Sequence, residues 1–229
     1  MSDTSFYLVQ TAIFWVSALI CLIITYVVYL RDPDYVLNQV FAGGSLALGF
    51  FNIMMGVSNA PVFLFQEQLI VQAVQLAYSA LVISLCFFLL SSVILQFGTS
   101  FPRRAGLLTI LMLIVFVDLF VIWFTDEVFV PTTILGDVTT SSLFKLVVLG
   151  SLALIYLCAL ILFVFTFRET EEDTRRNIGW LLGGWLVGGA ALITSAISDF
   201  YQPFDLVGPF LLGLALFIMQ RGFIRRPSN

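Results

Sequence analysis

Apolar residues fill seven stretches of the chain, 6–30, 37–58, 68–98, 105–125, 142–167, 178–198 and 206–221, and polar or charged residues gather in the short gaps between them. About 20 apolar residues cross the hydrocarbon core of a bilayer as a helix, and a helix satisfies its own backbone hydrogen bonds there. The pattern predicts an all-α polytopic membrane protein, a single domain over 1–229 built as a bundle of seven transmembrane helices. Polar residues inside the stretches fall in stripes. Gln68, Gln72, Gln75 and Ser79 follow one another at helical spacing on the third, and Ser45, Gly49, Asn52, Gly56 and Asn59 do so on the second. Tyr7, Gln10, Thr11 and Ser17 on the first, and Thr194, Ser195, Ser198 and Asp199 on the sixth, form similar stripes.

Charge orients the bundle. Arg31 follows the first stretch, Arg103 and Arg104 the third, Arg168, Arg175 and Arg176 the fifth, and Arg221, Arg225 and Arg226 the end of the seventh. The other gaps hold no basic residue, and Lys145 lies just inside the fifth stretch. The positive-inside rule then places the N-terminus outside and the C-terminus in the cytoplasm of a multi-pass cell-membrane protein. Asp3, Glu67, Asp118, Asp126, Glu127, Asp137, Asp199 and Asp205 fall toward the outer side, so the net charge of −4 averages two faces of opposite sign. A hydrophobic fraction of 60%, a charged fraction of 10% and a mean hydropathy of +1.06 exclude an ordinary soluble core. No basic residue precedes the first stretch, which is too long for a signal-peptide core, so it is expected to be a retained anchor.

In that orientation all four stripes climb through the outer half, while the inner half stays apolar. Two readings stand. The stripes line an outward-opening polar cavity for a small ligand or ion, or they supply interhelical hydrogen bonds that fix the packing at about 0.6 kcal/mol each. A conducting pore or transporter needs a polar path through both leaflets, which this asymmetry argues against. The candidate ligand-binding residues are Asn52, Gln72, Gln75, Asp118, Lys145, Ser195 and Asp199. Asp118 precedes Asp126 by eight residues, about 12 Å along a helix at about 1.5 Å per residue. Lys145 enters four residues past Ser141, and a Lys145–Asp118 pair would relieve two buried charges at once. The alternative is that Lys145 snorkels to the headgroups and Asp118 is protonated or hydrogen-bonded by a neighbour.

Little other chemistry is available. The chain has no His, which removes Ser/His and Cys/His nucleophiles and ordinary zinc or haem ligation. Cys21, Cys86 and Cys158 sit on three different stretches and read as small apolar packing residues. No enzyme activity, cofactor, metal or nucleic-acid partner is expected. Gly179, Gly183, Gly184, Gly188 and Gly189, with GxxxG spacing, predict close helix approach on the sixth stretch. The gap 168–177 (RETEEDTRRN) reads as a solvated charged turn. The gap 126–141 (DEVFVPTTILGDVTTS) reads either as a two-stranded hairpin or as an interfacial cap.

Other seven-helix families fail on specific residues: the last stretch, 205–221, carries no Lys for a rhodopsin Schiff base, and the Pro-Gln pairs of PQ-loop sugar transporters are missing. Arg175 and Arg176, the run 178–184 (IGWLLGG), a short turn with Pro203, and Gly208–Pro209 opening a last helix that ends in Arg221, Arg225 and Arg226 resemble something else. They are similar to the seven-helix sensor region at the N-terminus of many prokaryotic histidine kinases and cyclases. The runs 38–45 (NQVFAGGS) and 101–104 (FPRR) look similar too. That resemblance implies a sensor-like membrane module, and because few residues follow the final arginines, one that stands alone and acts through a partner protein. Its lipid surroundings and self-association into a homo-oligomer are compatible with the same surface. A structural subunit of a larger membrane complex is the main alternative, and a small transporter or ion pathway a further one.

Overall fold

Helices form where the apolar stretches predict them, because a backbone removed from water must close its hydrogen bonds within the segment. The computed structural model describes residues 3–63, 66–100, 106–125, 129–131, 138–198 and 204–224. Its helices are α1 (Asp3–Arg31), α2 (Val36–Ser58), α3 (Glu67–Phe97), α4 (Leu107–Phe124), α5 (Ser142–Glu169), α6 (Glu172–Ser198) and α7 (Phe204–Ile224). Among the described residues six are long and apolar enough to cross a membrane, and the apolar part of α7, Val207–Gly222, is shorter. A 3-10 turn over Pro61–Phe63 leads toward α3, and Gly98 ends α3 with a φ of 81° that favours glycine.

Neighbouring helices run α1, α2, α3, α5, α6, α7 and back to α1, and α4 lies against α3 and the start of α5. The most apolar stretch of α3 is 67% buried, against 22% for α4, which makes α3 the inner helix and α4 a peripheral one. Aromatic rings join the inner faces. Phe41 of α2 meets Phe88 of α3 edge-on at 5.3 Å, and Phe88 meets Trp185 of α6 at 5.5 Å. Trp185 is 3% exposed and also contacts Phe163 of α5.

The glycine-rich face of α6 is a packing face. A Cβ at Gly184 would meet Ala215 O at 2.5 Å and Met219 N at 3.0 Å, so α6 and α7 touch backbone to backbone there. Gly189 faces Tyr156 and Gly179 faces Phe167, both on α5.

Two gaps differ from or refine the expectation. The charged run 168–177 is mostly helix: α6 begins at Glu172, because acidic residues in a first turn complement the positive end of the helix dipole. Arg175 turns back on α5, its Nε donating to Phe167 O at 3.2 Å and an Nη donating to Arg168 O at 3.1 Å. In the other gap a hairpin forms, with β1 (Phe129–Pro131) antiparallel to β2 (Val138–Thr140) and Val130 opposite Thr139. Beyond it Ser141 caps α5 by accepting from Phe144 N at 3.2 Å, and α5 is π-helical over Lys145–Leu149.

Candidate functional site

Two groups of polar side chains include candidate residues. At the first, α3, α4 and α5 meet. Gln75 of α3 donates through Nε2 to Ile122 O of α4 at 3.0 Å, and Trp123 Nε1 of α4 donates to Ser79 Oγ at 3.0 Å. Ser79 in turn donates to Gln75 O at 2.7 Å. Deeper on α4 lies Asp118, 1% exposed on a helix otherwise made of apolar residues and one Thr. Its Oδ2 is 2.5 Å from Ser151 Oγ of α5, and Ser151 Oγ is also 2.9 Å from Val148 O. Ser151 follows the π-helical stretch by two residues, and no atom outside the helix approaches the position of a Cβ on the intervening Gly150. A π-helical turn shifts the side chains that follow it around the helix axis, and such turns recur at functional sites.

Asp118 does not pair with Lys145. Lys145 is exposed at the start of the π-helical stretch, no ion pair joins the two, and Asp118 takes Ser151 as its neighbour. Helix rotation decides this. Lys145 and Ser151 are six residues apart on one helix, so they project in different directions, and it is Ser151 that meets α4.

At the second corner α1 meets α2. Asn52 is fully buried, and its Nδ2 donates to Leu48 O at 2.8 Å with Cys21 Sγ at 3.8 Å. Asn52 Oδ1 and Ser45 Oγ on α2, and Thr11 Oγ1 on α1, have no hydrogen-bond partner among the described residues. Ser17 of α1 donates to Pro209 O of α7 at 3.1 Å, and Ser84 of α3 donates to Gly44 O of α2 at 2.8 Å.

The candidate residues therefore do not converge. Gln75 and Asp118 share the α3–α4–α5 corner, whereas Asn52 belongs to the α1–α2 interface. Gln72 is exposed and lines an open depression of about 410 Å³ with Glu67, Gln68, Val71 and Gln75. Ser195 lies on α6 with its side chain outside the described residues, and Asp199 lies outside them altogether. Sequence reading missed Ser151 and Trp123 as partners of these groups. The signal for Ser151 was present: a buried acid needs a donor or acceptor on a neighbouring helix, and Ser151 is the first polar residue of α5 after Lys145.

No family model matches the chain, and no curated protein matches it. Fold and site together define a class, a helical bundle of multi-pass membrane type with a buried acid bridging two of its helices.

Proposed function

We propose that the chain is a sensor-like seven-helix membrane module, with its N-terminus outside and its C-terminus in the cytoplasm, that responds at the α3–α4–α5 corner and acts through a partner protein. Asp118 carries this reading: it is an acid within an apolar helix, almost fully buried and bridged to a single hydroxyl of another helix. Ionisable groups within membrane spans are costly and concentrate where a protein binds or moves something. The adjoining π-helical turn is of a kind that recurs at functional sites. The likeness of 175–226 to kinase and cyclase sensor regions supports the same reading, and the Arg175 contacts to α5 offer a route from helix packing to the arginine-bearing end.

A structural subunit of a larger complex is the second reading. It is favoured by the α4 surface, where Met112, Leu113, Phe116 and Phe124 are each more than 60% exposed. Those side chains suit lipid or a neighbouring subunit equally. Isolation from native membranes in mild detergent, with photo-crosslinkers at Arg176 and at Phe116, separates the two. The sensor reading expects a partner at Arg176 whose crosslinking changes in Asp118→Leu. A stoichiometric complex captured through Phe116 and indifferent to Asp118→Leu would replace it with the subunit reading.

A further inference from the structure

Ser151 Oγ has more acceptors within reach than it has protons to give. A hydroxyl has one proton to donate, yet Ser151 Oγ sits at hydrogen-bond distance from two acceptors, Val148 O at 2.9 Å and Asp118 Oδ2 at 2.5 Å. Both contacts are hydrogen bonds at once if Ser151 donates to the Val148 carbonyl and the carboxyl donates to Ser151. Electrostatics leads to the same arrangement. An ionised Asp118 would be a buried anion facing one neutral hydroxyl, with no cation paired to it among the described residues.

Among the described residues no charged group is paired with Asp118. On α3, Cys86 is a titratable group close enough to interact with Asp118, and Glu67 lies exposed at the helix start. On α5, Lys145 is exposed and forms no ion pair with Asp118, and Tyr156 donates to Trp185 O on α6. Asp118 is the only ionisable residue in the α4 sequence.

We infer that Asp118 is a membrane-embedded proton-binding site, and that the bound proton is the hydrogen bond which holds α4 to the π-helical end of α5. Losing it breaks the Asp118 O–H bond, passes the proton to water or hydroxide, and leaves a carboxylate that repels the Ser151 lone pairs while Ser151 keeps its bond to the Val148 carbonyl, which pushes α4 away from α5. This assignment rests on the reading of the corner as the responsive site and names its ligand: a proton. The sign follows directly. The contact is present while the acid keeps its proton and is lost as the pH rises far enough to remove it.

The full chain in lipid nanodiscs provides the test. Infrared difference spectra of wild type against Asp118→Asn should show a protonated carboxyl band at neutral pH that the variant lacks. A pair of spin labels at Phe120 and Leu154, exposed positions on α4 and α5, should report a longer or broader distance in wild type as the band disappears on alkalinisation. Asp118→Asn, whose amide also donates to Ser151, should keep the short distance throughout. An ionised carboxylate at neutral pH with the helices together, or helices that stay together after the band is lost, would overturn the assignment. Partner crosslinking is read separately, so loss of the sensor reading and loss of the proton site give different results.

Discussion

Tyr156 of α5 and Trp185 of α6 exchange a reciprocal pair of hydrogen bonds: the tyrosine hydroxyl donates to Trp185 O at 2.5 Å and the indole Nε1 donates to Tyr156 O at 3.3 Å. Their rings stack at 5.0 Å with 10° between planes. Gly189 makes room for this, since a Cβ there would stand 2.3 Å from the tyrosine hydroxyl oxygen. The pair joins the two helices whose far ends carry Arg168, Arg175 and Arg176, and through Phe88 it connects to the inner helix α3.

Removing only the hydroxyl tests the bond apart from the stack. Tyr156→Phe should lower stability by about 0.6 kcal/mol and no more than about 1.7, the range for hydrogen bonds between membrane helices. Trp185→Ala also deletes the contacts to Phe88, Phe163 and Tyr156, and should cost about 3–5 kcal/mol. Reversible unfolding in mixed micelles reads both values, and equal losses for the two variants would contradict this division.

Close approach at glycine has different consequences at two positions. At Gly184 the obstacle includes the α7 backbone, which cannot yield without parting the helices, so Gly184→Ala should destabilise by about 1–3 kcal/mol. At Gly56 the obstacle is the indole of Trp15, a side chain 51% exposed and free to rotate away. Gly56→Ala should therefore lie within about 0.5 kcal/mol of wild type. A thermal melt of the two purified variants decides whether backbone contact is the relevant distinction.

Asn52 is stabilising on one side and costly on the other. Its Nδ2 is bonded, but the buried Oδ1 has no partner, which costs about 1–3 kcal/mol. Asn52→Leu, similar in size and without the orphaned oxygen, should melt at or above the wild-type temperature. A pronounced drop would mean that Oδ1 has a partner in the membrane-bound protein.

Topology can be read by labelling. In a background with Cys21, Cys86 and Cys158 replaced by Ala, Gln68→Cys should react with an impermeant maleimide on intact cells, because Gln68 is exposed at the start of α3. Thr170→Cys, at the α5–α6 turn, should react only after permeabilisation. The reverse pattern would invert the proposed orientation.

Much of the fold was legible because membrane helices satisfy their backbones locally, so apolar length alone locates them. The stripes on α1 and α2 were legible too: Tyr7, Gln10, Thr11, Ser17, Ser45 and Asn52 are all buried, as polar groups at helical spacing in an apolar segment should be. The glycine face of α6 was readable from spacing, and Gly184 against Ala215 and Met219 shows the close approach it signals. The start of α6 was misread because a dense run of charges resembles a loop, although acids followed by arginines also make a well-oriented first turn.

The sequence by itself determined the helical segments, their polar stripes and their close-packing positions, since each depends on residues within one helix. Tertiary structure alone decided that Asp118 meets Ser151 and not Lys145, that Asn52 sits away from it at the α1–α2 interface, and that α4 is peripheral while α3 is central. Such pairings depend on how far each helix is rotated about its axis and on where a π-helical turn shifts that rotation. Both are settled by contacts between helices that are distant along the chain.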